Sequence, residues 1–249
     1  MVLRSVVAGL SVLVAVGCLS VQAAADARRS VVEIDKVSER GRLLLANGDE
    51  ICLAGIRAPM APNVRGWRAA WQRLVEDVDL FQRTDRPDEH DRYGCVFARL
   101  ENVDGVPLQE LLLTAGWALV DPLSGVDQVS DIDAMLSLED RARAAKQGMW
   151  KAISSRPKAA DDLSDWIGTR QLVEGRVRRV SETKRYVYLN FGNDWRTDFT
   201  TRLDRKMIQK TGFDAEALDG KRLRVRGVLV ESRGPLIDIT HLKQIEFLP

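Results

Sequence analysis

The sequence predicts a β-rich α+β fold in two small barrel domains, and three observations carry that expectation. From residue 30 onward, short apolar runs of strand length alternate with turn residues. Helical spacing interrupts these runs at only a few places. A stretch without apolar periodicity, 152–162, separates a first domain at 28–151 from a second at 163–249. The composition of the 249 residues, 45% apolar, 29% charged and 6% aromatic, excludes a disordered tail, a collagen-like repeat and a multi-span membrane protein.

Residues 1–25 read as a secretory signal. Arg4 precedes an apolar run at 5–21, and Ala23-Ala24-Ala25 offers the small residues that signal peptidase cuts beside. An uncleaved signal anchor and a lipoprotein site at Cys18 are the competing readings. The run is broken by Ser11, Gly17 and Ser20 and falls short of the roughly 20 residues a spanning helix needs. A secreted or periplasmic chain with no membrane span after cleavage is expected. Cleavage removes Cys18 and leaves Cys52 and Cys95, an even pair in an oxidising compartment.

In the first domain, strands are expected at 31–34, 42–45 and 50–54, with Asn47-Gly48 as a two-residue hairpin turn. A helix at 65–76 carries Trp67, Ala70, Trp71, Leu74 and Val75 at helical spacing, so both tryptophans are core candidates. Another strand is expected near Val78, and strand character resumes at 93–100. Pro107 opens a helix that Gly116 closes, and a last helix at 139–147 is stopped by Gly148. In the second domain, strands are expected at 170–180, 185–191, 197–201, 222–230 and 236–241, with a helix at 205–210. Five strands around one helix suggest an OB-like barrel.

Charge is balanced overall, with 37 Lys and Arg against 36 Asp and Glu, so no global field favours nucleic acid or anionic membrane. The halves differ in sign. Up to Asp165 there are 20 basic and 25 acidic residues, net −5, and beyond it 17 and 11, net +6. In the basic half Arg222, Arg224 and Arg226 alternate along one predicted strand, and Arg176 and Arg178 repeat the device. With Lys184, Arg185, Tyr186, Tyr188 and Trp195, they form a candidate face for single-stranded nucleic acid or another polyanion, charge tracking the backbone and rings stacking on bases. A solvated sheet face is the competing reading. Motifs for a phosphate loop, a zinc protease or a serine triad are absent, and two histidines leave little imidazole chemistry.

Four runs occur in an informative order: Leu53-Ala54-Gly55-Ile56-Arg57-Ala58-Pro59, Asp91-Arg92-Tyr93-Gly94, the Pro107 helix with Ala115-Gly116-Trp117-Ala118, and 142–150 ending Gly148-Met149-Trp150. In this the chain resembles staphylococcal-nuclease-like (thermonuclease) domains. The resemblance implies an OB-type barrel of five strands with three helices. It also implies calcium-dependent phosphodiester cleavage, in which carboxylates hold the metal, a glutamate activates water and two arginines bind the phosphate.

Those positions are replaced here. The two arginines fall on Cys52 and Cys95, the metal-binding aspartate on Arg57, the glutamate on Met60 and a second metal carboxylate on Gly41. A guanidinium repels calcium and a thioether takes no proton from water, so the resemblance implies neither metal nor cofactor and no cleavage of the family type. Cleavage through Glu39, Asp49 or Glu50 and a purely protein-binding scaffold are the alternatives. Because the family's two arginines converge on one phosphate, the resemblance also implies that Cys52 and Cys95 are close enough to bond. Free thiols, or a metal held with His90, are the other readings of that pair.

Overall fold

A computed structural model of the chain describes residues 29–249, except 60–63, 84–88, 92, 126–130, 162 and 195. The expected signal segment with Cys18, and also Met60 and Trp195, therefore lie outside the described residues.

The first domain begins with strands β1 (Arg29–Val32), β2 (Ile34–Val37), β3 (Leu43–Leu45), β4 (Glu50–Leu53) and β5 (Ile56–Arg57), then helix α1 (Trp67–Glu76). Next come β6 (Leu80–Arg83), β7 (Glu89–His90), β8 (Val96–Ala98) and β9 (Leu100–Glu101), then α2 (Leu108–Thr114), β10 (Leu119–Val120) and α3 (Ile132–Ala144). Its main sheet has the order β2-β3-β4-β8-β7. β3 and β4 form the expected hairpin, and β8 lies parallel to β4 with Cys52 opposite Phe97. The hairpin turn differs from the two-residue form. Gly48 has a positive φ of 92° but Asn47 does not; instead the Asn47 side chain accepts from the Asp49 N–H, so one left-handed residue suffices.

Helix α1 turns Trp67, Trp71 and Val75 into the core, with the two indoles edge to face at 5.8 Å. Trp71 Nε1–H donates to the Trp117 carbonyl at 2.7 Å, which gives the buried ring its one polar partner. Helix α2 buries Leu108, Leu112 and Leu113. Its Gln109 donates from Nε2 to the carbonyl of Ala98 at the end of β8. Helix α3 is longer than expected, starting at Ile132, because Asp131 caps it by accepting from the Ala134 N–H.

The second part contains β11 (Lys158–Ala159), β12 (Arg170–Arg176), β13 (Arg179–Glu182), β14 (Tyr186–Asn190), β15 (Thr200–Asp204) and α4 (Arg205–Thr211). It ends with β16 (Arg222–Val228), β17 (Val230–Ser232), β18 (Gly234–Ile239) and β19 (Ile245–Phe247). These strands form two sheets, β11-β12-β16-β19 and β13-β14-β15-β18-β17, around a core that includes Val173, Leu189, Phe199, Leu203, Val225 and Ile237. Among the described residues no sheet closes on itself, so the architecture is β-rich α+β with open sheets. The stretch 152–162 is not a bare connector: Lys158 and Ala159 pair in parallel with Val173 and Glu174. Leu172 packs into the core of the first domain, so apolar contact is continuous across the junction. Among the described residues no helix is long and apolar enough to cross a membrane.

Candidate functional site

A cavity of about 690 Å³ opens where the first hairpin meets β4 and β5, lined by Gly41, Arg42, Cys52, Arg57, Asp91 and Tyr93 among others. Cys52 and Cys95 are joined by a disulfide with Cα atoms 5.9 Å apart, and the Cys95 residue is fully buried. Gly41 adopts φ 73°, and a Cβ placed there would lie 2.6 Å from the Ala58 Cβ. No carboxylate-bearing residue fits that position, and its neighbours Arg40 and Arg42, which also line the cavity, are cations. Arg57 donates from Nε and an Nη to one oxygen of Asp121, Oδ2, at 2.9 and 2.7 Å. Arg42 pairs with both Glu50 and Asp91. Glu39 pairs with Arg68, and Asp49 accepts from the Asn47 side-chain amide. Among the described residues no three His, Cys, Asp or Glu side chains group so as to hold a metal ion. The donor set does not fit calcium, which needs several carboxylate or carbonyl oxygens around one point.

Strand β16 places Arg222, Arg224 and Arg226 on one face, and the register sets Arg224 between Glu174 on β12 and Glu246 on β19. Helix α3 of the first domain covers that face. Arg224 reaches Glu174 at 2.7 Å, Asp140 at 3.0 Å and Glu246 at 3.1 Å. Arg226, 2% exposed, pairs with Glu139 at 3.1 Å and Glu246 at 2.5 Å and donates to the Val120 carbonyl at 2.8 Å. Burial works against the Arg226 charge, but Glu139 and Glu246 outweigh it and its pKa is raised. For Glu246, burial pushes upward and Arg226 outweighs it, so that carboxyl is held below its ordinary range. Arg224 and Arg226 therefore tie the domains together and are not free to meet a phosphate backbone. Arg222 and Arg176, directly opposite one another, are exposed and donate to the carbonyls of Pro249 and Gly220.

The remaining candidates gather on the hairpin of β13 and β14. Val187 and Leu189 point into the core, which turns Tyr186 and Tyr188 to the other face, their rings 6.2 Å apart edge to face. The guanidiniums of Arg185 and Arg202 lie over the Tyr186 ring at 5.0 and 4.7 Å. Arg202, which sequence reasoning did not select, is held by Asp238 at 2.6 Å and stands opposite Tyr188 in the sheet. Exposed Arg178 and Arg179 flank one end of the hairpin, and exposed Lys184 and Arg185 form the other. The signal for the buried arginines was present in the opposite net charge of the two halves, although it could not say which acids they meet.

The first domain is an α+β unit whose cavity is lined by the guanidiniums of Arg40, Arg42 and Arg57, one carboxylate among the described residues, Asp91, and the disulfide-bonded Cys52. Residues 50–152 match the family model described as Staphylococcal nuclease homologue, so that stretch of the chain is similar to staphylococcal nucleases. No curated protein matches the chain.

Proposed function

We propose that this is an extracytoplasmic, non-cleaving relative of the nucleases that binds single-stranded nucleic acid through the Tyr186–Tyr188 face of its second domain. The observation that carries the reading is that face itself, two half-buried tyrosines bracketed by cations. In this reading the two sheets of the second domain are the halves of an OB-like barrel, whose outer strands present rings and charge to a phosphate chain. The loss of cleavage rests on Gly41, Cys52, Arg57, Cys95 and Met60 at the family's working positions. Secretion rests on residues 1–25 and agrees with the Cys52–Cys95 disulfide.

The test uses the purified chain and a fluorescent oligothymidine of about 20 nucleotides. Binding should weaken steeply between about 50 and 200 mM salt as counterion release is suppressed. Tyr188→Ala should cost about tenfold in Kd, and the oligonucleotide should remain intact with calcium present. Salt-insensitive binding, binding that Tyr188→Ala leaves unchanged, or equal competition by heparin would reject the nucleic-acid reading. Metal-dependent cleavage that survives repurification would reject the non-cleaving one.

A further inference from the structure

A second cavity, of about 430 Å³, lies at the junction of the two domains, within the size range of small-molecule sites. Its wall is mostly aliphatic, with Val64, Leu119, Met149, Leu172 and Val228 contributed by both domains. Its polar lining is cationic. Arg57, Arg156, Arg170 and Arg226 line it, and among the described lining residues there is no Asp or Glu.

Three of these lining residues keep a buried donor without a partner, namely Arg170 Nε, Arg226 Nε and Ser155 Oγ. The wall therefore offers donors and no carboxylate acceptor. Local charge is incompletely matched as well. Arg57 and Arg170 share the single carboxylate of Asp121, at 2.7 and 3.5 Å, which leaves one positive charge over. Arg170 responds accordingly, its pKa lowered first by burial and further by the Arg57 and Arg226 charges despite Asp121. With Arg156 at the exposed edge of the wall as well, the surplus of positive charge suits an anionic head group. The planar guanidiniums suit a carboxylate, and the aliphatic wall suits a hydrocarbon body.

We infer that the interdomain cavity is a binding site for a small amphipathic carboxylate, its head held by Arg170, Arg226 and Ser155 and its apolar body against Met149, Leu172 and Val228. The site does not depend on the tyrosine face.

Octanoate serves as the probe, with octan-1-ol and inorganic phosphate as controls, on the full chain. Titration calorimetry should show saturable one-to-one octanoate binding, and octanoate should shift the Nε–H resonances of Arg170 and Arg226. Neither control should do so at the same concentration. Val228→Trp, at the 41% exposed rim, should block octanoate. Arg170→Gln should weaken it by at least about tenfold, and Tyr188→Ala should leave it unchanged. The inference is overturned if octanoate fails to saturate or to move the two arginine resonances, if octan-1-ol binds as well, or if a folded Val228→Trp chain binds octanoate normally. The resonance shifts are read on the unaltered chain, so a variant that fails to fold does not leave the question open.

Discussion

At Cys52 and Cys95, two residues far apart in sequence form a covalent link within the first domain. Cys52 lies on β4, and Cys95 immediately precedes β8, the strand parallel to it. The bond closes a loop of 43 residues containing α1 and the segment that returns to the sheet. Cross-linking a loop of that size should stabilise the fold by about 2–4 kcal/mol. Urea denaturation of the Cys52→Ser, Cys95→Ser double variant should show a loss in that range, and added reductant should reproduce it in the natural chain. The proximity of the two cysteines was legible only through the family resemblance, since 43 residues of separation say nothing about parallel strand pairing. The partner of Arg57 was not legible, because Asp121 reaches it from β10, which pairs with β5 through a bridge of two residues on each strand.

Elements that announce themselves by local chemistry were readable. The Pro107 start and Gly116 stop bound α2, and the tryptophan spacing of α1 marks its buried face, because each signal acts within a turn or two of the chain. Gly116 shows why such a stop is strict. Its φ is 71°, and an added Cβ would lie 2.5 Å from the Gln147 carbonyl oxygen, since the Gly116 carbonyl itself receives the Met149 N–H at 3.0 Å. Gly116→Ala should cost about 2–4 kcal/mol, through left-handed strain and the displaced helix ends, readable as a lower thermal midpoint. The short elements β11, β17 and β19 were not readable, as they exist only because a neighbouring strand offers an open edge. The early start of α3 was missed because Asp131, its cap, stands beyond the Ala- and Arg-rich run that suggested the helix.

Across the whole molecule, the two halves are joined by complementary charge rather than by a flexible tether. Glu139 is fully buried between Arg226 and Arg143, so removing Arg226 takes away the cation that holds both of its oxygens. Arg226→Ala should destabilise the chain by about 3–5 kcal/mol, and Arg226→Met with Glu139→Gln should recover much of that. A double-mutant cycle measures both. Glu246 makes the junction sensitive to acid. Its folded pKa lies below its ordinary value near 4.5, so its contribution is fully present above that pH. The contribution is then lost as pH falls through the lower, folded value. Stability measured from neutral pH downward should therefore fall below about pH 4.5, and Glu246→Gln should be less stable at pH 7 yet flatter on the acid side. The alternation of Arg222, Arg224 and Arg226 was visible in the sequence. Their occupant was not, because α3 lies more than 80 residues upstream.

Lys158 and Ala159 are held in register against Val173 and Glu174, and the Lys158 ammonium also donates to the Ser154 carbonyl at 2.8 Å. A one-residue slip of a strand exchanges the sides its residues face. Relatives of this protein should therefore vary in length around exposed Ile153 and keep the spacing between Lys158 and Arg170 constant. A library of single-codon insertions should reproduce that asymmetry, with soluble product upstream of the pairing and precipitate downstream.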